Sequence, residues 1–308
     1  MQFDLEHYFK ECQALVNEAL DSSLPKKELH PPKVHEAMRY SIFAGGKRIR
    51  PILCMAASEA CGGGRREVLP IACALEMIHT FSLIHDDLPA MDDDSLRRGV
   101  PTNHKVFGEA VAILAGDALL SQAFLVLGKL KDSLRDPRCV LEIIYHIASA
   151  TGSMGMVGGQ VLDMEAEGNA IDLPALRKLH QLKTGRLIAA SVLSGALMAE
   201  ATDQKLAAGA CQPGSGRLAA IESYGEAVGL AFQIADDILD IVGGSDLGKD
   251  IGSDAENKKA TYPSVMGMEG AKKAANIAKE EALGSLNGFG PEADALRAIA
   301  EFIVERRK

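Results

Sequence analysis

The chain lacks several features that mark common functional classes. None of its 308 residues is tryptophan and only 5% are aromatic, whereas 47% are hydrophobic, with Ala and Leu prominent among them. This composition favours helices over sheets and is sufficient for a large core. Runs rich in Lys and Arg are missing and the formal net charge is −9, so we expect no nucleic-acid partner.

Cysteine spacing and apolar runs exclude further classes. The six cysteines show no CxxC spacing, which is typical of reduced, mostly buried thiols and not of a disulfide framework or zinc site. The first ten residues are acidic and amphipathic, unlike a signal peptide. The apolar run 111–128 is interrupted by Asp117 and Gln122, and the run 187–199 is too short to cross a bilayer. We therefore expect a soluble, cytoplasmic protein without stable membrane insertion.

Helical periodicity, punctuated by Gly and Pro, extends through nearly the whole chain. It predicts helices over residues 4–20, 33–44, 49–61, 67–86, 108–130, 138–153, 174–200, 216–241, 270–284 and 291–306. Alternating segments long enough for a five-residue strand are missing, and no linker divides the chain. The sequence thus predicts an all-α fold, a large helical bundle with sites between facing helices, as one domain over residues 1–308. The charged, glycine-rich segment 243–263 is predicted to be a mobile lid.

Two aspartate-rich segments interrupt this apolar sequence. Ionised carboxylates are rarely buried unless they are paired or bound to a metal. Asp236 and Asp240 are four residues apart and would share one helix face. Asp86 and Asp92 are six apart, but Pro89 between them should distort the helix and could return Asp92 to the side of Asp86. Two such clusters facing each other would hold hard cations, the usual partners of a diphosphate.

Two other interpretations of the aspartates fit the sequence less well. A solvated acidic face is one alternative, but the apolar flanks of 231–241 leave little room for it. A calcium loop is the other, but the EF-hand alternation with its central glycine is missing.

Cationic residues bracket both clusters. Lys47, Arg48 and Arg50 follow a glycine pair, where backbone N–H groups and a helix start can hold phosphate oxygens, although the P-loop pattern is absent. The other candidates are Arg97, Arg98, Lys183, Lys249 and Lys259. His79 lies two helical turns before Asp86 on the same face, so it is either a core residue or a ligand contact.

With these residues in place, the chain resembles the trans-isoprenyl diphosphate synthases, the head-to-tail prenyltransferases, over nearly its whole length. The segments that carry the resemblance, in the order the family shows, are GGKRIRP, LEMIHTFSLIHDDLPAMDDDSLRRG, GGQVLDM, KTGRLI, FQIADDILD and GKDIGSDAENKKATYPS. The resemblance implies an all-α fold with a deep apolar cavity, homodimerisation, and condensation of isopentenyl diphosphate with allylic diphosphates.

The resemblance also implies a role for each motif residue. Three Mg²⁺ ions, with Mn²⁺ as an alternative, would be held by Asp86, Asp92 and Asp236, with Asp87 and Asp240 in support. The allylic diphosphate would contact Arg97, Lys183, Thr184, Gln233 and Lys249, with Lys259 also in the lid. Isopentenyl diphosphate would contact Lys47, Arg50, His79 and Arg98.

Product length depends on the residues below Asp86. Ideal helix geometry places Ser82 directly beneath Asp86 and Phe81 farther around the helix. In similar bacterial enzymes an aromatic residue at the position of Phe81 is the floor for a C15 product, farnesyl diphosphate. If Phe81 is ordinary core packing, the C20 product geranylgeranyl diphosphate is the alternative. A terpene cyclase and a non-catalytic synthase subunit fit less well, since both aspartate motifs and the full second set of cations are present.

Overall fold

The structure is a computed structural model and describes residues 3–132, 134, 136–202, 216–242 and 260–306. Helices dominate this part of the chain, as the sequence predicts. The α-helices are α1 Leu5–Ser23, α2 Pro32–Phe43, α3 Ile49–Ala60, α4 Leu69–Asp86, α5 Asn103–Phe107, α6 Glu109–Gly128, α7 Arg138–Thr151, α8 Met156–Ala166, α9 Leu173–His180, α10 Arg186–Thr202, α11 Gly216–Val242, α12 Tyr262–Ser285 and α13 Asp294–Glu305.

Short irregular elements connect some of these helices. A 3₁₀ turn, Lys129–Asp132, follows α6, and a second 3₁₀ turn, Pro291–Ala293, precedes α13. A π-helical turn, Gln181–Gly185, joins α9 to α10. The two-residue strands β1 Leu96–Arg97 and β2 Val100–Pro101 form an antiparallel hairpin after α4. This hairpin is too short to alter the all-α class.

Most predicted helices agree with the structure to within a few residues, and two differ for local reasons. The predicted helix 174–200 is divided by the π-helical turn. Helix α12 begins at Tyr262, well before residue 270, because Thr261 and Ser264 form a capping box at its start. Helix α8 was not predicted at all, since its glycines disfavour a helix interior.

The core lies between α3, α4, α10 and α11. Nearly every residue of α3 and most of α10 are buried. The two helices pack so closely at Gly195 that a Cβ there would lie 2.0 Å from the carbonyl oxygen of Cys54. Arg48, at the start of α3, donates a 2.7 Å hydrogen bond to Glu76 of α4, and both side chains are buried. This frame fixes the ends of α3, α4 and α11, where the motif residues lie.

The cysteines only partly follow the expectation from the sequence. Cys12, Cys54, Cys61 and Cys73 are free thiols, and all but Cys61 are buried. Cys139 is disulfide-bonded, so the expectation of a reduced thiol is wrong there; spacing along the chain does not reveal which cysteines meet in space. Cys211 lies outside the described residues.

Two helical segments are apolar enough, by length and composition alone, to cross a membrane. They span Glu109–Asp132 and Arg138–Ala166, and in each only 39% of the most apolar window is buried inside the chain. The sequence predicts no membrane span here, and the exposed apolar surface of these segments requires another explanation.

Candidate active site

The first aspartate motif lies in a turn at the end of α4. Helix α4 ends at Asp86, and the backbone N–H of Asp92 donates a 2.9 Å hydrogen bond to the carbonyl oxygen of Asp86. The chain around Pro89 therefore folds back and returns Asp92 to Asp86, as expected from the position of the proline.

Asp86 is in an environment that disfavours its charge. The pKa of its carboxyl is raised to about 6, mainly by burial; Lys183 nearby acts in the opposite direction, and the negative charge of Asp92 contributes to the rise. A carboxyl that is buried beside a second carboxylate is stabilised in its ionised form by a bound cation.

Lys183 belongs to the π-helical turn between α9 and α10. Its Nζ lies 2.5 Å from Oδ2 of Asp163 on α8. Helix α8 packs directly on this turn, since a Cβ at Gly159 would lie 2.2 Å from the backbone nitrogen of Lys183. The sequence reasoning did not assign a role to Asp163, although the segment GGQVLDM that contains it was among the family-like segments.

The second motif divides its aspartates between two sides of α11. Asp236 and Asp240 share a half-buried face, as the i,i+4 spacing predicts. Asp237 lies on another side, only 3% exposed, where it accepts hydrogen bonds from the backbone N–H of Tyr262 at 2.8 Å and from Gln233 Nε2 at 2.9 Å. Asp237 therefore anchors the start of α12.

Gln233 connects the second motif to the π-helical turn. Its Oε1 accepts a 2.8 Å hydrogen bond from Thr184 Oγ1, and its Nε2 donates to Asp237. The predicted allylic-site residues Thr184 and Gln233 are therefore in contact with each other across the two helices.

Asp236 is bound by a residue that the sequence reasoning missed. Arg306, the first residue after α13, donates through a terminal guanidinium nitrogen to Oδ1 of Asp236. Its guanidinium also stacks on Phe232, with Cζ 4.3 Å from the ring centroid. Nothing in the local sequence around Arg306 indicates this long-range pairing.

A cationic cluster lies beside the two motifs. Burial lowers the pKa of His79 well below its usual value, and the positive charges of Arg50, Arg98 and Arg97 lower it further. Burial also lowers the pKa of Arg50, and its Nε is buried without a hydrogen-bond acceptor among the described residues. Several cations that repel one another and leave a buried donor unused define a place for an anion.

The loop before α3 brings Arg98 into this cluster. A terminal nitrogen of Arg98 donates to the carbonyl oxygen of Gly45, and a Cβ at Gly46 would lie 2.4 Å from the same guanidinium. Both glycines have φ above +100°, a conformation that residues with a side chain rarely adopt. Of the three cations that follow, Arg48 turns into the core, whereas Arg50 joins the cluster and the exposed Lys47 lies near Asp236.

Arg97 is held by two carboxylates. It donates to Asp87 through Nε at 2.7 Å and to Asp94 through a terminal nitrogen at 2.6 Å. Asp87 is only 4% exposed. In this conformation the pair fixes the hairpin to the end of α4, and the predicted ligand contacts of Arg97 and Asp87 stay predictions.

The two candidate chain-length residues have different surroundings. Ser82 is partly exposed and lies on the face of α4 that carries His79 and Asp86. Phe81 is 7% exposed, and its ring packs edge-on against His85 with the centroids 5.1 Å apart. Nε2 of His85 in turn lies 3.0 Å from the carbonyl oxygen of Ile113 on α6. The ring of Phe81 therefore packs against a side chain that is itself held in place.

The structure describes only some of the remaining predicted ligands, and the predicted metal-binding carboxylates are spread between the two motifs. Lys249 and Lys259, and the lid 243–263 except for its last four residues, lie outside the described residues. Within the described ranges, no three His, Cys, Asp or Glu side chains are grouped closely enough to hold a metal ion. The oxygen donors still fit Mg²⁺, which is usually bound through one or two carboxylates plus substrate phosphates and water.

An all-α fold that sets two aspartate motifs beside a cluster of cations defines a diphosphate-handling enzyme of the isoprenoid-synthase type. The family model for polyprenyl synthetases matches residues 31–300, and the chain belongs to this family.

The individual relatives agree with that assignment. The chain is 44% identical to farnesyl diphosphate synthase of Geobacillus stearothermophilus, with 99% of both chains covered. It is 46% identical to geranylgeranyl diphosphate synthase of Cyanophora paradoxa, covering 99% of this chain and 97% of the relative. Among solved structures, an FPP/GFPP synthase of Zymomonas mobilis superimposes with a TM-score of 0.82 at 38% identity, covering 97% of this chain and 98% of the other.

The protein is therefore a trans-prenyl diphosphate synthase, a prenyltransferase of the family that uses isopentenyl diphosphate and allylic diphosphates. Its relatives include both farnesyl and geranylgeranyl diphosphate synthases, so they leave the product length open.

Proposed function

We propose that this enzyme condenses isopentenyl diphosphate with dimethylallyl and then geranyl diphosphate, and releases the C15 product farnesyl diphosphate. The observation that carries this proposal is the position of Phe81. Its ring is buried one turn below the first aspartate motif and is supported by His85, which is itself held against α6. A supported aromatic ring resists displacement by a growing prenyl chain, since a well-packed core yields only at a cost of roughly 1–3 kcal/mol.

In the proposed site, the aspartates of the two motifs hold Mg²⁺ against the allylic diphosphate. Asp86, Asp92 and Asp236 are the main ligands, with Asp240 and Asp87 in support, and Mn²⁺ would suit the same oxygen donors. When bound, the divalent cations supply Lewis-acid stabilisation of the charge on the departing diphosphate.

Two sets of the chain's own polar residues would bind the diphosphate groups of the two substrates. Lys183, held by Asp163, and Thr184, paired with Gln233, would contact the allylic diphosphate. The other diphosphate, that of isopentenyl diphosphate, would be bound by the cationic cluster, through Lys47, Arg50, His79 and Arg98. Arg97, Lys249 and Lys259 complete the proposed substrate contacts.

The reaction follows from charge placement. Stabilising the leaving diphosphate allows the allylic C–O bond to break and leaves an allylic cation. The double bond of isopentenyl diphosphate attacks this cation, and a proton is lost from the adjacent carbon. We assign the proton to the released diphosphate, since burial and the surrounding positive charges lower the pKa of His79 and make it a weak base.

The test is to incubate the purified protein with isopentenyl diphosphate and each allylic primer, and to measure the chain length of the dephosphorylated products. The proposal expects mainly C15 from dimethylallyl and geranyl primers, and little extension of a farnesyl primer. Efficient conversion of a farnesyl primer to C20 would overturn the C15 assignment but not the family.

The C20 product is the second candidate, and one observation favours it. Ser82, not Phe81, shares the partly exposed face of α4 with Asp86. If the growing chain follows that face, a serine offers little obstruction and Phe81 is ordinary core packing. The same product analysis separates the two candidates.

Phe81→Ala should lengthen the product from C15 towards C20, since it removes the ring that closes the path. Phe289→Ala is a matched control, because it removes a similarly buried phenyl ring that packs against Arg217 at the start of α11, the end of that helix away from the second aspartate motif. An unchanged product from Phe81→Ala, with activity retained, would remove Phe81 from the argument.

We also propose that the protein acts as a single-domain, cytoplasmic homodimer. Its large exposed hydrophobic side chains are concentrated on the apolar segments 109–132 and 138–166. They include Ile113, Leu114, Leu125, Leu141, Tyr145, Val157, Val161 and Met164. A monomer seldom exposes so many large apolar side chains on neighbouring helices, whereas a second copy would cover them symmetrically. Light scattering after gel filtration should give twice the chain mass, and Tyr145→Lys should shift it towards the monomer.

A further inference from the structure

An arginine binds an aspartate in each motif, Arg97 at Asp87 and Arg306 at Asp236, but Asp87 is buried whereas Asp236 is half-exposed. One terminal nitrogen of Arg306 donates to Oδ1 of Asp236, and the Arg306 side chain is only 5% exposed. Asp236 is 44% exposed, so the carboxylate is accessible from solvent while one oxygen is occupied by the guanidinium. The residue that the proposed function makes a cation ligand is therefore already engaged by a protein cation.

The guanidinium is held at this point by more than charge. Phe232, one turn before Asp236 on α11, lies under it with a Cζ-to-centroid distance of 4.3 Å. Stacking of Arg on an aromatic ring is attractive, and the attraction is stronger when the group is shielded from water. The backbone N–H of Arg306 also donates to the carbonyl oxygen of Phe302 at 2.9 Å, which fixes the residue against the end of α13.

The same guanidinium has a donor that the protein does not use. The Nε of Arg306 is buried and has no acceptor among the described residues. Lys47 lies close enough for Arg306 to lower its pKa, after the larger effect of burial, while Asp236 acts in the opposite direction. Lys47 and Arg306 thus both lie near Asp236, and Arg306 retains a buried donor that no described residue uses, an arrangement that an incoming anion would relieve.

We propose that Arg306 is a positioning residue that occupies the carboxylate of Asp236, and so hinders cation binding there, until a diphosphate is bound. In the free protein the guanidinium competes with divalent cations for Asp236. A diphosphate offers Arg306 an alternative acceptor and offers the cation further oxygen ligands, so cation and diphosphate bind to the second motif with positive coupling. This inference rests on the proposed role of Asp236 as a cation ligand.

The coupling has a direct thermodynamic form. If the diphosphate releases Asp236 from Arg306, it raises cation affinity at the second motif, and the cation must raise diphosphate affinity by the same factor. Removing the guanidinium should remove the part of this coupling that arises from competition. Couplings of this kind are typically about 5–150-fold.

The experiment is to measure Mn²⁺ binding by electron paramagnetic resonance on the full-length protein, with and without inorganic diphosphate. Arg306→Gln should tighten Mn²⁺ binding in the absence of diphosphate by on the order of tenfold, and should reduce the enhancement that diphosphate produces. Weaker or unchanged Mn²⁺ binding without diphosphate would overturn the proposal, because it would mean that Arg306 only supports the fold or the carboxylate.

Companion variants separate this inference from the proposed function. Phe232→Leu keeps the guanidinium but removes its stacking partner, and should tighten Mn²⁺ binding less than Arg306→Gln does. Lys273→Ala, which removes an exposed positive charge on α12, should leave Mn²⁺ binding unchanged. Asp236→Asn should weaken Mn²⁺ binding in the presence of diphosphate, and if it does not, the cation-ligand role of Asp236 is refuted. If only Arg306→Gln fails to tighten Mn²⁺ binding, the blocking role of Arg306 is refuted and the ligand role of Asp236 is not.

Discussion

The two aspartate motifs contain similar residues but hold them in different electrostatic states. At the first motif, burial and the neighbouring Asp92 raise the pKa of Asp86 to about 6. At the second motif, Asp236 is bound by Arg306, and Asp237 accepts two hydrogen bonds from α11 and α12. At the first motif, Lys183 and Arg97 therefore offset only part of the effect of burial on Asp86, whereas at the second motif a guanidinium lies on Asp236 itself. A bound cation would stabilise the ionised form of Asp86, and at Asp236 it would have to displace Arg306.

The motifs agree in one respect. In each, the second aspartate supports the structure: Asp87 binds Arg97 of the hairpin, and Asp237 binds the backbone at the start of α12. The outer aspartates are the ones left on the face that a ligand would approach. The adjacent pair in each motif thus combines a proposed cation ligand with a residue that holds the structure together.

The largest expected effect comes from removing the leading aspartates. Asp86→Ala should lower kcat by about 10³-fold or more, because stabilisation of the leaving diphosphate is lost, while the fold is retained. Asp236→Ala should cost a similar factor, and circular dichroism should show intact helices in both. Near-normal turnover in Asp86→Ala would refute the site.

The scaffold role of Asp237 gives the next largest effect. Asp237→Ala leaves the N–H of Tyr262 and one amide of Gln233 without their buried acceptor, and should lower the free energy of unfolding by about 3 kcal/mol. Asp240→Ala, on the open face of the same motif, should change stability much less. Urea denaturation measures both; equal losses would contradict the division of roles within the motif.

The support of Lys183 by Asp163 should matter less than the aspartate motifs. Asp163→Asn keeps the shape of the side chain but weakens the ion pair that orients Lys183. Removing a group that orients a ligand-binding residue typically lowers activity by about 10–100-fold. The loss should appear in kcat with an allylic primer more than in the KM for isopentenyl diphosphate. Lys178→Ala, on the exposed face of α9, is the control, and an equal loss there would remove the special role of Asp163.

The smallest effect concerns pH and stability in metal-free buffer. The folded pKa of Asp86 lies above its unfolded value, so burying its charge destabilises the protein above about pH 6, and the penalty disappears as pH falls below the unfolded value. Asp86→Asn should therefore stabilise the protein by on the order of 1 kcal/mol at pH 7–8, since partial contact with water reduces the full effect. The gain should vanish near pH 4 in denaturant titrations, and a gain independent of pH would contradict the origin in charge.

The fold could be predicted well from the sequence because apolar periodicity and breakers act locally. Pro89 correctly indicated the turn that returns Asp92 to Asp86. Helix α8 was missed because packing of its glycines on the π-helical turn overrides their low helix propensity. That long-range packing is invisible in a local pattern.

The site was predictable where residues share one helix and less so where they meet across the fold. His79, Ser82 and Asp86 follow from helical spacing alone. Asp163 with Lys183, and Arg306 with Asp236, join residues 20 and 70 positions apart. No spacing rule connects such pairs, and they are the ones that set the electrostatic difference between the motifs.

The most direct test is a crystal structure of the protein with Mn²⁺ and an unreactive allylic diphosphate analogue, examined for anomalous scattering. We predict Mn²⁺ peaks at Asp86 and Asp92 and at Asp236, with the guanidinium of Arg306 moved from Asp236. Density for the analogue without Mn²⁺ at Asp236, or with Arg306 still bound to it, would contradict the proposed difference between the two motifs.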